Sequence, residues 1–317
     1  MDMAVAPKIG IIGLGHVGAH VANAVLWQGL AAELYLCDVR ADKLAAETND
    51  LQDAMAFYPH SARVCSVGDR YEALAECDII VNAAGFIEKA AESRDGELFA
   101  TTDAARTFAA RIAQAGFDGV WLTISNPCDV VATALWHLGG FDPARIVGSG
   151  TALDSARFQH ALAAATGFDP DSITAYMLGE HGASQFALWS HARFGALTAA
   201  EIEAAGVTTF DRPALEDAAR GGGYVTMAGK HCTEYSVSNA AVTLLRAIVY
   251  DTKTLLPCST LLTGQYGQSG HFISLPCIVG KNGVERVFTP ELDPGEATAF
   301  AASCQHVQEN IAKLSWW

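Results

Sequence analysis

Lys8-Ile9-Gly10-Ile11-Ile12-Gly13-Leu14-Gly15-His16-Val17-Gly18 is the stretch whose reading decides the fold. Ile9, Ile11 and Ile12 form a short β-branched run that favours a strand, and glycines at 13, 15 and 18 lead directly into a helical stretch. In that context each glycine has a physical task. Gly13 permits a tight turn, Gly15 lets the backbone approach a pyrophosphate, and Gly18 allows the helix to pack closely on the strand. The N-terminus of the helix favours the anion. Asp38 closes the next apolar run about twenty residues on, where a carboxylate can accept hydrogen bonds from both hydroxyls of an adenosine ribose. The same carboxylate would repel a 2′-phosphate, which favours NAD over NADP, although Arg40 stands close by. The competing reading of Asp38 is a helix cap or a solvated loop charge.

Working outward, short β-rich runs at 8–12, 33–37, 63–67, 78–82, 120–124 and 145–147 alternate with Ala- and Leu-rich helical stretches such as 17–28, 42–56 and 96–115. Strand and helix in alternation predict an α/β Rossmann architecture with a doubly wound parallel sheet. Past Gly148 the pattern changes to longer helices mixed with hairpin signals, among them Asn282-Gly283 between the apolar runs 277–279 and 284–287. The expectation is therefore a nucleotide-binding domain over 1–148 and an α+β substrate domain over 149–317, tightly joined because no repeat or Pro/Ser-rich linker separates them. Gly221-Gly222-Gly223 reads as a turn, and 297–314 as a closing helix whose Trp316-Trp317 end has no assignable partner.

With 317 residues, half of them apolar, the chain can bury a large core. Its formal charge of −15 opposes binding to phosphate backbones, so no nucleic-acid partner is expected. No apolar run approaches the roughly 20 residues of a bilayer span, and residues 1–7 lack the basic flank and apolar stretch of an export signal. Membrane partners are not expected, and a cytoplasmic location is. The 8 cysteines are scattered without a C-x-x-C pair and without a His at ligand spacing, and they read as reduced, mostly buried residues with no metal.

Four polar residues stand in apolar or Gly-rich surroundings: Arg94, Asp154, Arg157 and His181. Singly each is ambiguous, since a lone His is often structural, Asp154 could be a helix N-terminal charge and Arg157 a surface ion-pair partner. Together they meet the needs of 2-oxo acid reduction. A His holds a proton near neutral pH, and an adjacent carboxylate such as Asp154 would keep His181 charged and oriented. The planar fork of Arg157 suits a substrate carboxylate. Arg94, in a loop of small and charged residues, could close over the substrate and stabilise charge on the carbonyl oxygen.

These residues carry a resemblance that covers most of the chain, to the L-lactate/malate dehydrogenase family. Within it the chain is most similar to the L-2-hydroxyisocaproate dehydrogenases, through 8–15, Gln52-Asp53-Ala54-Met55-Ala56 and Gly179-Glu180-His181-Gly182-Ala183-Ser184-Gln185-Phe186. The run 146–157 resembles the family's Asp-x-x-Arg helix, which implies that Asp154 partners the histidine and Arg157 binds the substrate carboxylate. Ser125-Asn126-Pro127 resembles the strand end where an Asn contacts nicotinamide ribose and substrate, Thr233 corresponds to a pocket-lining residue, and Arg94 to the loop arginine. The resemblance implies an NAD-dependent oxidoreductase acting on L-2-hydroxy acids, assembled as a homotetramer or homodimer. A malate-type enzyme and a non-catalytic NAD-binding protein are the other readings.

Glu88 occupies the position resembling the family's substrate-discriminating site, where lactate enzymes carry Gln and malate enzymes Arg. An acid there is expected to repel the second carboxylate of oxaloacetate. Glu88 either faces a substrate with a cationic or imidazole side chain, or points to solvent beside Lys89 while Phe86 and Ile87 line an apolar pocket. The loop between Gly85 and Arg94 is lactate-like in length rather than hydroxyisocaproate-like.

Overall fold

The computed structural model describes residues 6–86 and 94–317. Six short apolar strands, β1 (Lys8–Ile12), β2 (Glu33–Cys37), β3 (Arg63–Gly68), β4 (Ile79–Asn82), β5 (Val120–Thr123) and β6 (Ile146–Gly148), pair in parallel in the order β3-β2-β1-β4-β5-β6. Strands β1, β2, β4, β5 and β6 are almost wholly buried, which is why they read as continuous apolar runs instead of alternating ones. Helices α1 (His16–Trp27), α2 (Ala41–Ala54), α3 (Arg94–Gln114) and α4 (Cys128–Gly139) connect them. The order reverses between β1 and β4, so both strand ends there open onto one crevice, the place where open α/β sheets bind ligands.

The second half begins with α5 (Ala152–Thr166), followed by the short strands β7 (Ile173–Thr174), β8 (Met177–Leu178), β9 (Phe186–Ala187), β10 (Arg193–Phe194) and β11 (Leu197–Thr198). Strands β8 and β9 form a two-stranded ribbon, and β7, β10 and β11 a three-stranded sheet. Helices α6 (Ala199–Ala204), α7 (Arg212–Lys230) and α8 (Tyr235–Val249) come next. Then β12 (Thr254–Thr263), β13 (Ser269–Gly280) and β14 (Gly283–Val287) form an antiparallel meander, and α9 (Pro294–Ala312) closes the chain. The meander is not separate from the first sheet: β12 pairs with β6 at Ser259↔Gly148, giving a single sheet of nine strands. The main apolar core spans both halves, from Ile9 and Val81 to Leu244, Leu275 and Phe300.

Two expectations are corrected. Gly221-Gly222-Gly223 is not a turn but the middle of α7, which Asp211 caps by accepting from the Ala214 amide at 3.2 Å and which Pro213 helps to start. Three glycines cost a helix about 1 kcal/mol each against alanine. Only at Gly222 does the close packing of α7 on α5 call for glycine, because a Cβ there would stand 3.0 Å from Arg157 Cδ, whereas one on Gly221 would meet nothing within 4 Å. The last hairpin turns at Lys281-Asn282, one residue earlier than Asn282-Gly283 suggests, since Gly280 already pairs with Gly283. The closing helix starts at Pro294, where Asp293 and Glu296 form a reciprocal cap. Beyond it Trp317 stacks on His137 at 4.3 Å, and Arg106 lies over Trp316.

Candidate active site

A cleft of about 1680 Å³ runs along the carboxyl ends of β1, β2, β4 and β5 to the loop holding His181. Pockets for one small ligand span roughly 300–1,000 Å³, so this one has room for a dinucleotide and a second molecule beside it. Gly13, Gly15, Asp38, Asn126, Asp154, Arg157, His181 and Thr233, all singled out in the sequence, line it together.

At the nucleotide end the three glycines do different things. A Cβ on Gly18 would fall 1.9 Å from the Gly13 carbonyl oxygen, so the first turn of α1 can lie against the loop only with hydrogen at that position. Gly13 adopts φ +90° and lies against Ala83 and Ala84 at the end of β4. A Cβ on Gly15 would meet nothing within 4 Å, which leaves its backbone open on the cleft. No side chain caps α1, so its first amides point to that open space with no partner from a capping residue. Asp38 is 8 % exposed; one carboxylate oxygen accepts from the Leu14 amide at 2.7 Å and the other from the Arg40 amide at 2.9 Å. A carboxylate has about four acceptor positions, so two remain for hydroxyl donors. Arg40 Nε stands 3.6 Å from Asp38 and is mostly exposed. These features fit an adenine dinucleotide without a 2′-phosphate.

At the other end, Asp154 and Arg157 share one face of the first turns of α5, and Arg157 Nη1 donates to Asp154 Oδ1 at 3.2 Å. His181 Nδ1 lies 2.5 Å from Asp154 Oδ2. The segment carrying His181 is fixed from three sides. Gly179, at φ +91°, bridges to Ser274 of β13; the Glu180 amide donates to Ser303 of α9 at 2.7 Å; and the His181 amide donates to Asp129 Oδ2 at 2.8 Å. A Cβ on Gly179 would collide with the Ser303 hydroxyl at 2.6 Å. The Asp154 carboxylate raises the His181 imidazole to a pKa of about 9 against the opposing effect of burial. Burial pushes Asp154 upward, but the charges of His181 and Arg157 outweigh it and hold the carboxyl below its ordinary value. The pair is thus an imidazolium on a carboxylate at neutral pH, with about a quarter of the His181 side chain open to the cleft.

Several participants escaped the sequence reading. Asp129, in the first turn of α4, is 1 % exposed and accepts from both the His181 amide and the Ser259 hydroxyl of β12; burial raises its carboxyl to about 7. Its signal was an acid inside the largely apolar run Cys128–Leu135. Glu97, on α3, lines the cleft; burial raises its carboxyl, and the His181 charge counteracts that. Gly222 and Gly223 lie against the stem and guanidinium of Arg157. His16, Cys232 and Glu234 come together although the cysteines by themselves show no ligand pattern. Arg94 opens α3, but its side chain lies outside the described residues, as do Ile87, Glu88 and Lys89 entirely. Phe86 reaches the cleft.

Residues 7–148 match the sequence model of the lactate/malate dehydrogenase NAD-binding domain, and residues 151–315 that of the lactate/malate dehydrogenase alpha/beta C-terminal domain. The chain is 36 % identical over 307 residues to an L-lactate dehydrogenase of Fusobacterium nucleatum, covering 96 % of each chain. It is 33 % identical to L-lactate dehydrogenase 2 of Lactococcus lactis, covering 97 % of this chain and 98 % of that one. The solved minor L-lactate dehydrogenase of Enterococcus mundtii superposes with a TM-score of 0.92 at 30 % identity over 98 % of both chains. The malate dehydrogenase of Cryptosporidium parvum gives 0.91 at 26 %, over 98 % of this chain and 99 % of that one. The chain belongs to the lactate/malate dehydrogenase family, as an NAD-dependent oxidoreductase acting on 2-hydroxy acids.

Proposed function

We propose that the chain interconverts a 2-oxo acid and the L-2-hydroxy acid with His181 as proton donor and acceptor. The observation that carries this reading is the Asp154–His181 pair at 2.5 Å with Arg157 on the same helical face. Bound NADH supplies the hydride that reduces the keto carbon. Arg157 offers its fork to the substrate carboxylate, held in place by Asp154 and by the glycines of α7. His181 donates from its free Nε2 to the carbonyl oxygen as that atom gains charge, and Asp154 holds Nδ1–H and thereby fixes the ring. In the reverse direction neutral His181 takes the hydroxyl proton. Asn126 and Thr233 orient the substrate from the cleft wall, and Arg94, at the start of α3, is the candidate for stabilising charge on the carbonyl oxygen. Gly13, Gly15, Gly18 and Asp38 hold the dinucleotide. In this reading 1–148 binds cofactor, 149–317 supplies the catalytic groups, and the protein acts in the cytoplasm as a homotetramer or homodimer. Among the described residues no helix is long and apolar enough to cross a membrane.

Glu97 supports a second reading of specificity. A carboxyl in the cleft, close enough to feel the His181 charge, disfavours a second substrate carboxylate and favours a side chain that is cationic or donates hydrogen bonds. Glu88, nine positions earlier in the sequence, carries the same charge. The test is NADH oxidation by purified protein with pyruvate, oxaloacetate, 2-oxoisocaproate, phenylpyruvate and imidazolepyruvate. Turnover of none would sink the assignment as a 2-oxo acid reductase. Preference for pyruvate or the apolar acids places Glu97 and Glu88 outside selection. Preference for imidazolepyruvate that Glu97→Gln abolishes makes Glu97 the selecting group, and brisk oxaloacetate turnover removes the repulsion argument.

A further inference from the structure

We infer that His16, Cys232 and Glu234 form a binding site for a borderline-soft divalent cation such as Zn²⁺. The site lies where the N-terminus of α1 meets the segment joining α7 to α8. A ring nitrogen of His16, Sγ of Cys232 and a carboxylate oxygen of Glu234 all lie within 4.8 Å of one another. Their spacing, now bridged by a thiol hydrogen bond and an ion pair, is also what one shared cation requires. Zn–N and Zn–O bonds of about 2.0–2.2 Å and a Zn–S bond of about 2.3 Å, set at tetrahedral angles, require about 3.4 Å between N and O and about 3.6 Å between S and O. Here His16 Nδ1 is 3.2 Å from Glu234 Oε2, and Cys232 Sγ is 3.7 Å from the same oxygen. His20, one turn after His16 on the same face of α1, is held back from the site because its Nδ1 donates to the His16 carbonyl at 2.7 Å, so the fourth position on the cation falls to water.

The remaining contacts leave the donors usable. Lys230 pairs with Glu234 through the other oxygen, Oε1, so the ammonium and a cation would occupy opposite sides of one carboxylate. Cys232 and Glu234 are buried, at 7 % exposure each, while His16 is open to solvent and gives an ion its entry path. An imidazole, a thiolate and a carboxylate form a donor set that selects Zn²⁺ over Mg²⁺ or Ca²⁺, which prefer oxygen alone. His16 and Cys232 also line the nucleotide cleft, next to Gly15 and Thr233. A cation there ties the dinucleotide loop of the first half to the substrate wall of the second.

The probe is Co²⁺ added to the full chain after chelator treatment. The expected result is a thiolate-to-cobalt charge-transfer band that saturates at one equivalent, with release of the Cys232 proton, and that Zn²⁺ displaces. Cys232→Ser should remove the band, and His16→Asn, at an exposed position that cannot disturb the core, should weaken binding at least tenfold. Zn²⁺ should raise the unfolding temperature of the parent chain and leave that of Cys232→Ser unchanged. No saturable band in the parent chain, or binding by His16→Asn equal to the parent's, would overturn the site.

Discussion

The two ends of the cleft are built by different means. At the nucleotide end the work is done by backbone and by the absence of side chains: Gly13, Gly15 and Gly18 clear space, uncapped amides of α1 face it, and Asp38 is held by two amides. At the proton-transfer end the work is done by side chains gathered from α4, α5 and the loop after β8, linked to one another by hydrogen bonds, with the glycines of α7 packed against Arg157. Backbone geometry tolerates little change but is specified by a few neighbouring residues. A side-chain network is specified by distant ones and can be altered by degrees.

Substitutions that separate the two ends sharpen this contrast. The largest effect belongs to His181→Gln, which should lower kcat for 2-oxo acid reduction by about 10²–10⁴-fold, the usual contribution of a general acid, with NADH affinity unchanged in a fluorescence titration. Arg157→Gln should raise KM for the 2-oxo acid about a hundredfold through loss of charge-assisted hydrogen bonds and also spare NADH binding. Comparable losses of NADH affinity in these variants would break the division. Asp38→Asn should do the reverse, weakening NADH about tenfold while leaving KM for the 2-oxo acid near the parent value. The smallest effect is expected for Gly222→Ala, whose methyl would press on Arg157 at 3.0 Å. A few-fold rise in substrate KM is anticipated there; a change in NADH affinity instead would show that α7 serves the other end.

The pH response belongs to the side-chain end alone. With the His181 pKa raised from 6.5 to about 9, the imidazolium persists through neutral pH. A profile of kcat/KM for reduction should therefore fall about tenfold per unit above about pH 9, with an inflection near 7 reporting the Asp129 carboxyl. Asp154→Asn should move the upper break toward 6.5. The same shift acts on stability. The folded state binds the proton more tightly, so the contribution is complete below about pH 6.5 and disappears as pH rises through 9. Unfolding temperatures measured between those limits should decline more steeply for the parent than for His181→Gln.

What was legible in the sequence follows the same division. All strands of the parallel sheet but the edge strand β3 are almost wholly buried apolar runs bounded by turns, so their positions stand out to within a residue or two, as 33–37 against Glu33–Cys37 shows. The glycine spacing and Asp38 are local in the chain and were equally plain. Asp154, Arg157 and His181 stood out because polar residues in apolar surroundings need a reason, but their support did not. Asp129 binds a backbone amide 52 positions away, and Ser259, its other partner, lies 130 positions away. No local pattern reports such a contact. The glycine run at 221–223 was misread because a glycine needed for close packing against another helix looks the same in sequence as one needed for a turn. His16 was hidden by the motif around it, where only the glycines drew the reading.

Pairing of β6 with β12 has a consequence for how the chain is made. The parallel half ends at Gly148, yet its outer strand acquires a neighbour only through Ser259. A ribosome adding about 5–20 residues per second needs several seconds to cross that interval. During it the first half carries a short strand of bare amides and carbonyls, the kind of edge that recruits foreign strands. Gly148 is also where a Cβ would lie 2.5 Å from Ser259, so the late partner must settle closely. A first half that folded during that interval would expose the β6 edge, which β12 covers in the finished sheet.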